Sequence, residues 1–308
     1  MSPAKPRILL SGTNGQVGSA LQCLLSKNNE VFAFERATLD LTNSEQIRQH
    51  VQEIKPDIIV NAAAYTAVDQ AEKEPALAFA INGTAPGIFA EEAAHINAIL
   101  IHYSTDYVFD GSGNQPWQEE DKPAPLNIYG ASKLAGEQTI KASGATHLIL
   151  RTSWVYGEHG NNFVKTILRL AAEKEALNII DDQIGAPTSA EFIADATAQI
   201  LNQLKENSIA LKSGTYHLCC SGETSWHGFS SEIVRLAKQH NTPLAVKEIN
   251  SIPTSDYPTP AERPKNSRLD CTRLEKTFGL QPISWQAALA NTLPLIIASS
   301  AEASASAK

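Results

Sequence analysis

Short aliphatic runs alternate with amphipathic stretches through the first two thirds of the chain. Ile8-Leu9-Leu10, Val31-Phe32-Ala33-Phe34, Ile58-Ile59-Val60, Ile99-Leu100-Ile101 and Leu148-Ile149-Leu150 each have the length and composition of a strand. Between the first two, Val17, Ala20, Leu21, Leu24 and Leu25 recur at i, i+3, i+4, i+7 and i+8, which is one face of a helix. A β-α-β unit therefore closes within about 30 residues. Strands separated by helices predict an α/β fold with a Rossmann-type doubly wound parallel sheet.

After Arg151 the pattern loosens. It predicts a helix around residues 163–170, a short strand over 177–180, and a helix carrying Phe192, Ile193, Ala196 and Ile200. A strand over 214–218 and a helix around 229–237 follow. Residues 252–264 hold Pro253, Pro258, Pro260 and Pro264, so they form a shaped loop and neither a central strand nor a helix interior. The expected organisation is a dinucleotide-binding Rossmann domain over 1–155, with later segments at about 177–220 adding to its sheet. A smaller C-terminal substrate-binding lobe takes most of 156–300. Residues 301–308 are Ala, Ser, Glu and Lys without periodicity and read as a frayed, flexible tail.

The 308 residues, 43% hydrophobic and 19% charged, suffice for two domains or one domain with a lobe. Lys plus Arg number 25 against 33 Asp plus Glu, a net charge of −8 that speaks against nucleic-acid or anionic-membrane partners. Cys23, Cys219, Cys220 and Cys271 have no zinc-ligand spacing and read as reduced structural thiols. The apolar run at the N-terminus is too short for a secretory signal, and no run approaches the roughly 18 residues of a membrane span. The expectation is a soluble, cytoplasmic protein.

The first strand runs into Ser11-Gly12-Thr13-Asn14-Gly15-Gln16-Val17-Gly18, which opens the helix. Glycines here permit a tight turn against a pyrophosphate, whose charge meets free N–H groups at the helix N-terminus. The spacing is G-x-x-G-x-x-G, and a plain strand-to-helix turn is its bland alternative. Glu35 follows Gly18 by 17 residues, near the roughly 20 expected of a carboxylate on the adenosine ribose. Its neighbour Arg36 suits the 2′-phosphate of NADPH, so both NADH and NADPH are expected as cofactors. Asp40 and Leu41 are candidates for the adenine, one for its amino group and one to cover the ring.

Tyr129-Gly130-Ala131-Ser132-Lys133 sets a phenol and an ammonium on one helical face. A free Tyr, with a pKa near 10, is a poor acid or base at neutral pH, and a nearby cation stabilises its phenolate. The fourth strand ends in Tyr103-Ser104-Thr105-Asp106, at the carboxyl edge where ligands of open α/β sheets bind. Thr105 is placed to hydrogen-bond a carbonyl that becomes an alkoxide.

These residues resemble the extended short-chain dehydrogenase/reductase superfamily, and within it the dTDP-4-dehydrorhamnose reductases. The resemblance rests on ordered motifs over nearly the whole chain: GTNGQVG, VNAAAYTAVDQAE from Val60, HYSTDYVFDG from His102, PLNIYGASKLAGE from Pro125, RTSWVYG from Arg151, GNNFVKTILRLA from Gly160, DQIGAPT from Asp182 and YPTPAERPKNSRLD from Tyr257. It implies reduction of the C4 keto group of dTDP-4-dehydro-L-rhamnose with NAD(P)H, the last step of dTDP-L-rhamnose biosynthesis, by a monomer or homodimer. It further implies Tyr129 as general acid, Lys133 as its electrostatic partner and ribose anchor, and Thr105 as the hydroxyl of the triad. Ala62, Ala63, Ala64 and Tyr65 would line the cofactor. Asp106, Trp154 and Asn162 would serve the dTDP-sugar, with Arg263, Lys265 and Asn266 on its diphosphate side.

Members of this family are associated with Mg2+, and Glu191 matches an acidic position used at a dimer contact. Asn291-Thr292-Leu293-Pro294-Leu295 lacks the second carboxylate of such a site, which argues against a magnesium-bridged dimer. Among rival readings, a 4,6-dehydratase needs Asp-Glu directly after the Thr, whereas this chain has Asp106-Tyr107. An epimerase is a second related rival. A third is a non-catalytic NADP-binding subunit resembling the methionine adenosyltransferase β subunit, and fold alone does not separate these.

Overall fold

The computed structural model describes residues 5–206 and 212–306. Its first half alternates β1 (Arg7–Ser11), α1 (Gln16–Leu25), β2 (Glu30–Phe34), α2 (Ser44–Ile54) and β3 (Ile58–Asn61). Two short helices, α3 (Val68–Ala71) and α4 (Pro75–Phe79), lead through a π-helical turn, Ala80–Thr84, into α5 (Ala85–Ile96). Strand β4 (Ile99–Thr105), α6 (Ile128–Ala142) and β5 (His147–Thr152) complete the half.

These five strands pair in parallel in the order β2-β1-β3-β4-β5. Because side chains alternate across a strand, Ile8, Leu10, Val60, Ile101, Leu148 and Leu150 face one core, which includes Leu21 and Leu25 of α1. Leu9, Ile59, Leu100 and Ile149 face the other core, beneath α2, α5 and α6. Both faces are covered, which is why the strands read as unbroken apolar runs. The strand order reverses between β1 and β3, so a crevice for ligands opens at their carboxyl ends.

The second half carries short strands β6 (Val155–Tyr156), β7 (Ala176–Ile180), β8 (Ile184–Gly185) and β9 (Thr188–Ser189), with α7 (Phe163–Glu173) and α8 (Ala190–Glu206). Then come β10 (Gly214–His217), β11 (Thr224–Ser225), α9 (Trp226–Gln239), β12 (Glu248–Ile252), β13 (Asn266–Ser267), α10 (Thr272–Phe278) and α11 (Trp285–Ser306). Strand β10 joins the central sheet beside β5. Strand β7 does not; it pairs in parallel with β12 as a separate two-stranded sheet. Of its five residues only Leu177 is buried, so it lacks the two apolar faces a central strand needs. A third core, including Tyr156, Ile167, Phe229, Ile233, Trp285 and Leu289, lies among α7, α9 and α11.

The proline-rich segment is a 3-10 turn, Thr254–Asp256, followed by irregular backbone over 257–265. The helix runs on through Ser306, into the stretch 301–308 expected as a tail, of which residues 307–308 lie outside the described residues. Alanine and glutamate are strong helix formers, and propensity suffices to extend a helix already nucleated by packing.

Candidate active site

The turn after β1 is tied to β2 by the amides of Gly12 and Thr13, which donate to the Phe34 carbonyl at 2.8 and 3.2 Å. A Cβ at Gly18 would stand 2.1 Å from the Gly12 carbonyl oxygen, so only glycine lets α1 start this close to the turn. Gly15 is the N-cap and makes no side-chain cap bond, which leaves the first-turn amides of Gln16 and Val17 without a capping side chain. Gln16 donates through Nε2 to the Val155 carbonyl at 3.5 Å, while its buried Oε1 has no partner. At the end of β2, the Glu35 carboxylate accepts from Asn14 and so sits against the turn. Arg36 is exposed beside it.

Farther out the two adenine candidates diverge. Asp40 Oδ1 is engaged by the amide and hydroxyl of Thr42 at 2.9 and 2.8 Å, which hold its carboxyl below the usual range. Leu41 is buried in the core under α2 and does not offer an open face to a ring. Beyond β3, Ala62, Ala63 and Ala64 are half-buried, and Tyr65 is clamped by Asn82. Asn82 Oδ1 accepts the Tyr65 amide at 2.8 Å, and its Nδ2 donates to the Tyr65 carbonyl and to Ser132 Oγ, both at 3.0 Å. The π-helical turn exists where this buried amide must reach both. An uncapped helix start, a glycine turn and a carboxylate just after β2 fit a dinucleotide pyrophosphate and ribose.

Asn127 caps α6, accepting the Gly130 amide at 2.8 Å and donating to the Glu262 carbonyl at 2.7 Å. A Cβ at Gly130 would lie 2.1 Å from the Tyr107 carbonyl oxygen, so the glycine lets α6 press on the turn that follows β4. That contact brings Tyr129 to Thr105. Thr105 Oγ1 donates to Asp106 Oδ1 at 3.0 Å and accepts the Tyr107 amide at 3.2 Å. The Tyr107 and Tyr129 rings meet edge to face, their centroids 5.5 Å apart.

Burial sets the protonation states here. It pushes the Tyr129 phenol up to about 12, with Thr105 pulling it back and Asp106 adding to the rise. Burial also raises the Asp106 carboxyl to about 6, against hydroxyls of Ser267 and Thr105. Lys133 is lowered to about 8 by burial, which the Glu137 carboxylate partly offsets. Its Nζ donates to the Tyr103 carbonyl at 2.6 Å and lies 3.2 Å from His102 Nε2. One turn along α6, Glu137 accepts from Nε and Nη2 of buried Arg151 at 2.8 and 2.7 Å.

The expected sugar-nucleotide residues are dispersed, and most already have protein partners. Trp154, in a left-handed conformation at φ 49°, stacks on Trp226 with centroids 3.5 Å apart. Asn162 caps α7, accepting from Lys165 at 3.0 Å and donating to Gly157 at 2.8 Å. Arg263 is held by Asp69 through two bonds of 2.6 and 2.8 Å, and Lys265 by Asp182 at 3.1 Å. Asn266 is buried, and its Nδ2 donates to the carbonyls of Ser112 and Gln115. Glu191 Oε2 accepts the Thr292 hydroxyl at 3.1 Å, tying α8 to α11. Among the described residues no group of three His, Cys, Asp or Glu side chains is placed to hold a metal. Sequence reasoning missed Trp226, Asp69 and His102, whose partners lie far along the chain, Gln183 43 residues before Trp226, Arg263 194 after Asp69 and Lys133 31 after His102; only the position of His102 at the head of a strand motif hinted at a role.

A doubly wound sheet with a glycine turn at β1, and Thr, Tyr and Lys gathered where β4 meets α6, defines a short-chain dehydrogenase/reductase. More narrowly, the RmlD substrate binding domain family matches residues 6–296, and the chain belongs to it. It is 48% identical over 284 residues to the dTDP-4-dehydrorhamnose reductase of Escherichia coli K12, covering 91% of this chain and 94% of that one. The crystal structure of the Bacillus anthracis dTDP-4-dehydrorhamnose reductase in complex with NADP superposes with a TM-score of 0.85 at 40% identity, covering 94% of this chain and 98% of that one. The Clostridium acetobutylicum reductase gives 0.87 at 37%, covering 94% and 99%.

Proposed function

We propose that the protein reduces the C4 keto group of dTDP-4-dehydro-L-rhamnose to dTDP-L-rhamnose with NADPH or NADH. The observation that carries this reading is a phenol held protonated beside a threonine hydroxyl and one helical turn from a buried lysine. The glycine turn and the α1 N-terminus hold the cofactor diphosphate, Glu35 its ribose, and Arg36 the 2′-phosphate where present. When bound, the reduced nicotinamide supplies the hydride that C4 accepts. Tyr129 gives its phenolic proton to the C4 oxygen, and Thr105, its hydroxyl turning away from Asp106, donates a hydrogen bond to that oxygen as charge develops. Lys133 stabilises the resulting phenolate, so the step needs less of the roughly 1.4 kcal/mol per unit that separates the phenol from an acid effective at neutral pH. Tyr107, half-buried against Tyr129, stands where a dehydratase would carry a second carboxylate, which supports reduction over dehydration.

The reading places the protein in the cytoplasm, consistent with four free cysteines and no helix among the described residues long and apolar enough to cross a membrane. The test is Tyr129→Phe. Oxidation of NADPH with dTDP-4-dehydro-L-rhamnose should fall by at least about a thousandfold, while NADPH binding by fluorescence titration changes less than threefold. Turnover near that of the wild type would overturn the assignment.

A further inference from the structure

Three strands carry a polar side chain at one register level, directly beneath the site. Ser11 on β1 is opposite Asn61 on β3, and Asn61 is opposite His102 on β4. Ser11 Oγ donates to Asn61 Oδ1 at 2.7 Å, and Asn61 Nδ2 lies 3.2 Å from His102 Nδ1. His102 Nε2 is 3.2 Å from Lys133 Nζ. None of the four is more than 2% exposed. A polar row inside an apolar sheet is a liability unless every hydrogen finds an acceptor.

We propose that His102 is a positioning residue for Lys133: a neutral imidazole protonated on Nδ1, it accepts an ammonium hydrogen at Nε2 and keeps Lys133 charged and aimed at Tyr129. The inference rests on the reading of Lys133 as the electrostatic partner of Tyr129. Hydrogen accounting fixes the tautomer. An ammonium offers only donors, so Nε2 must present its lone pair and the single imidazole hydrogen sits on Nδ1. That hydrogen is accepted once the Asn61 amide is turned end for end, so that its oxygen faces Nδ1 and its NH2 faces Ser11; with Nδ2 toward Nδ1, as the amide stands, one N–H would be set against another. Burial and the Lys133 charge both hold His102 neutral, its pKa well below the ordinary value. The Tyr103 carbonyl takes a second ammonium hydrogen, leaving one for the ligand side. The row starts at Ser11, the residue before Gly12, so it also ties Lys133 to the cofactor turn.

The other titratable groups around the pair lie outside the window in which Lys133 titrates. Glu137 stays ionised against Arg151 and exposed Lys141, Asp106 titrates near 6, and Tyr129 and Tyr107 are pushed up by burial. At the N-terminal end of α6, Glu72 accepts the Ile128 amide, and Asp69 is held low by Arg263.

The test is NMR on the full chain. Nitrogen-15 histidine spectra of the wild type should show His102 as the Nδ1–H tautomer; an Nε2–H tautomer overturns the proposal without any variant. With carbon-13 labelled lysine, the resonance lost in Lys133→Met gives the Lys133 titration directly. His102→Leu should lower its midpoint by about one pH unit, a tenfold change in charge ratio, and His102→Gln should restore most of it. The alkaline limb of kcat/KM should move by the same amount. Equal midpoints in wild type and His102→Leu sink the inference. If the midpoints move but the wild type does not reduce the keto sugar nucleotide, the positioning role stands and the substrate reading fails.

Discussion

Lys133 is arranged for chemistry and against stability. Held near pH 8 in the fold against about 10.4 in the unfolded chain, it binds its proton less tightly when native. The native state therefore carries a penalty of roughly 3 kcal/mol below pH 8, which fades as pH rises to about 10.5. Lys133→Met removes the buried charge while leaving the Tyr103 carbonyl short of one donor. The variant should lose turnover yet melt no lower than the wild type at pH 7, and the wild type should gain on it between pH 8 and 10.5. Thermal melts across that range check both. Cofactor choice is also decided at single residues. Glu35 is fixed by Asn14, whereas Arg36 is exposed. Arg36→Ala should raise KM for NADPH about tenfold, as loss of a charge-assisted phosphate contact does, and change that for NADH less than twofold.

Elements show what local pattern determines and what it does not. The start of α1 is fixed by Gly18: a methyl group there would meet the Gly12 carbonyl, so Gly18→Ala must push helix and turn apart. We expect at least tenfold weaker NADPH binding by calorimetry and a loss of about 1–3 kcal/mol in stability, the usual effect of overpacking. Strands β1, β3, β4 and β5 were readable because burial on two faces leaves little choice of residue type, and α1 because its apolar positions fall on one face. The partner of β7 was not, since pairing with Glu248–Ile252 is a matter of distant packing. Asn162, expected at the dTDP-sugar, caps α7, a role the sequence does not separate from binding because both use the same amide chemistry. Thr105, Tyr129 and Lys133 could be singled out along the chain, but the row from Ser11 to His102 is written in strand register, which spacing along the chain does not encode.

For the molecule as a whole, the net charge of −8 must be reconciled with a ligand carrying a diphosphate. The cations nearest the proline-rich segment are not free: Arg263 is locked to Asp69 across 194 residues of chain, and Lys265 leans on Asp182. These pairs fasten the segment of 257–265 to α3 and to the loop after β7, so the same carboxylates that lower the local positive charge also fix where it sits. If Arg263 meets the diphosphate, that preorganisation outweighs the partial neutralisation, because a planar guanidinium already aimed loses less freedom on binding. Asp69→Asn should then raise KM for the dTDP-sugar several-fold with kcat changed less than twofold; a lower KM would mean that Asp69 competes with the substrate instead. Acid should mimic the substitution. Asp69 is depressed by Arg263, so its contribution is present above the ordinary carboxylate pKa, about 3.9, and is lost as pH falls through its lower native value. KM measured between pH 7 and 5 should accordingly stay insensitive to Asp69.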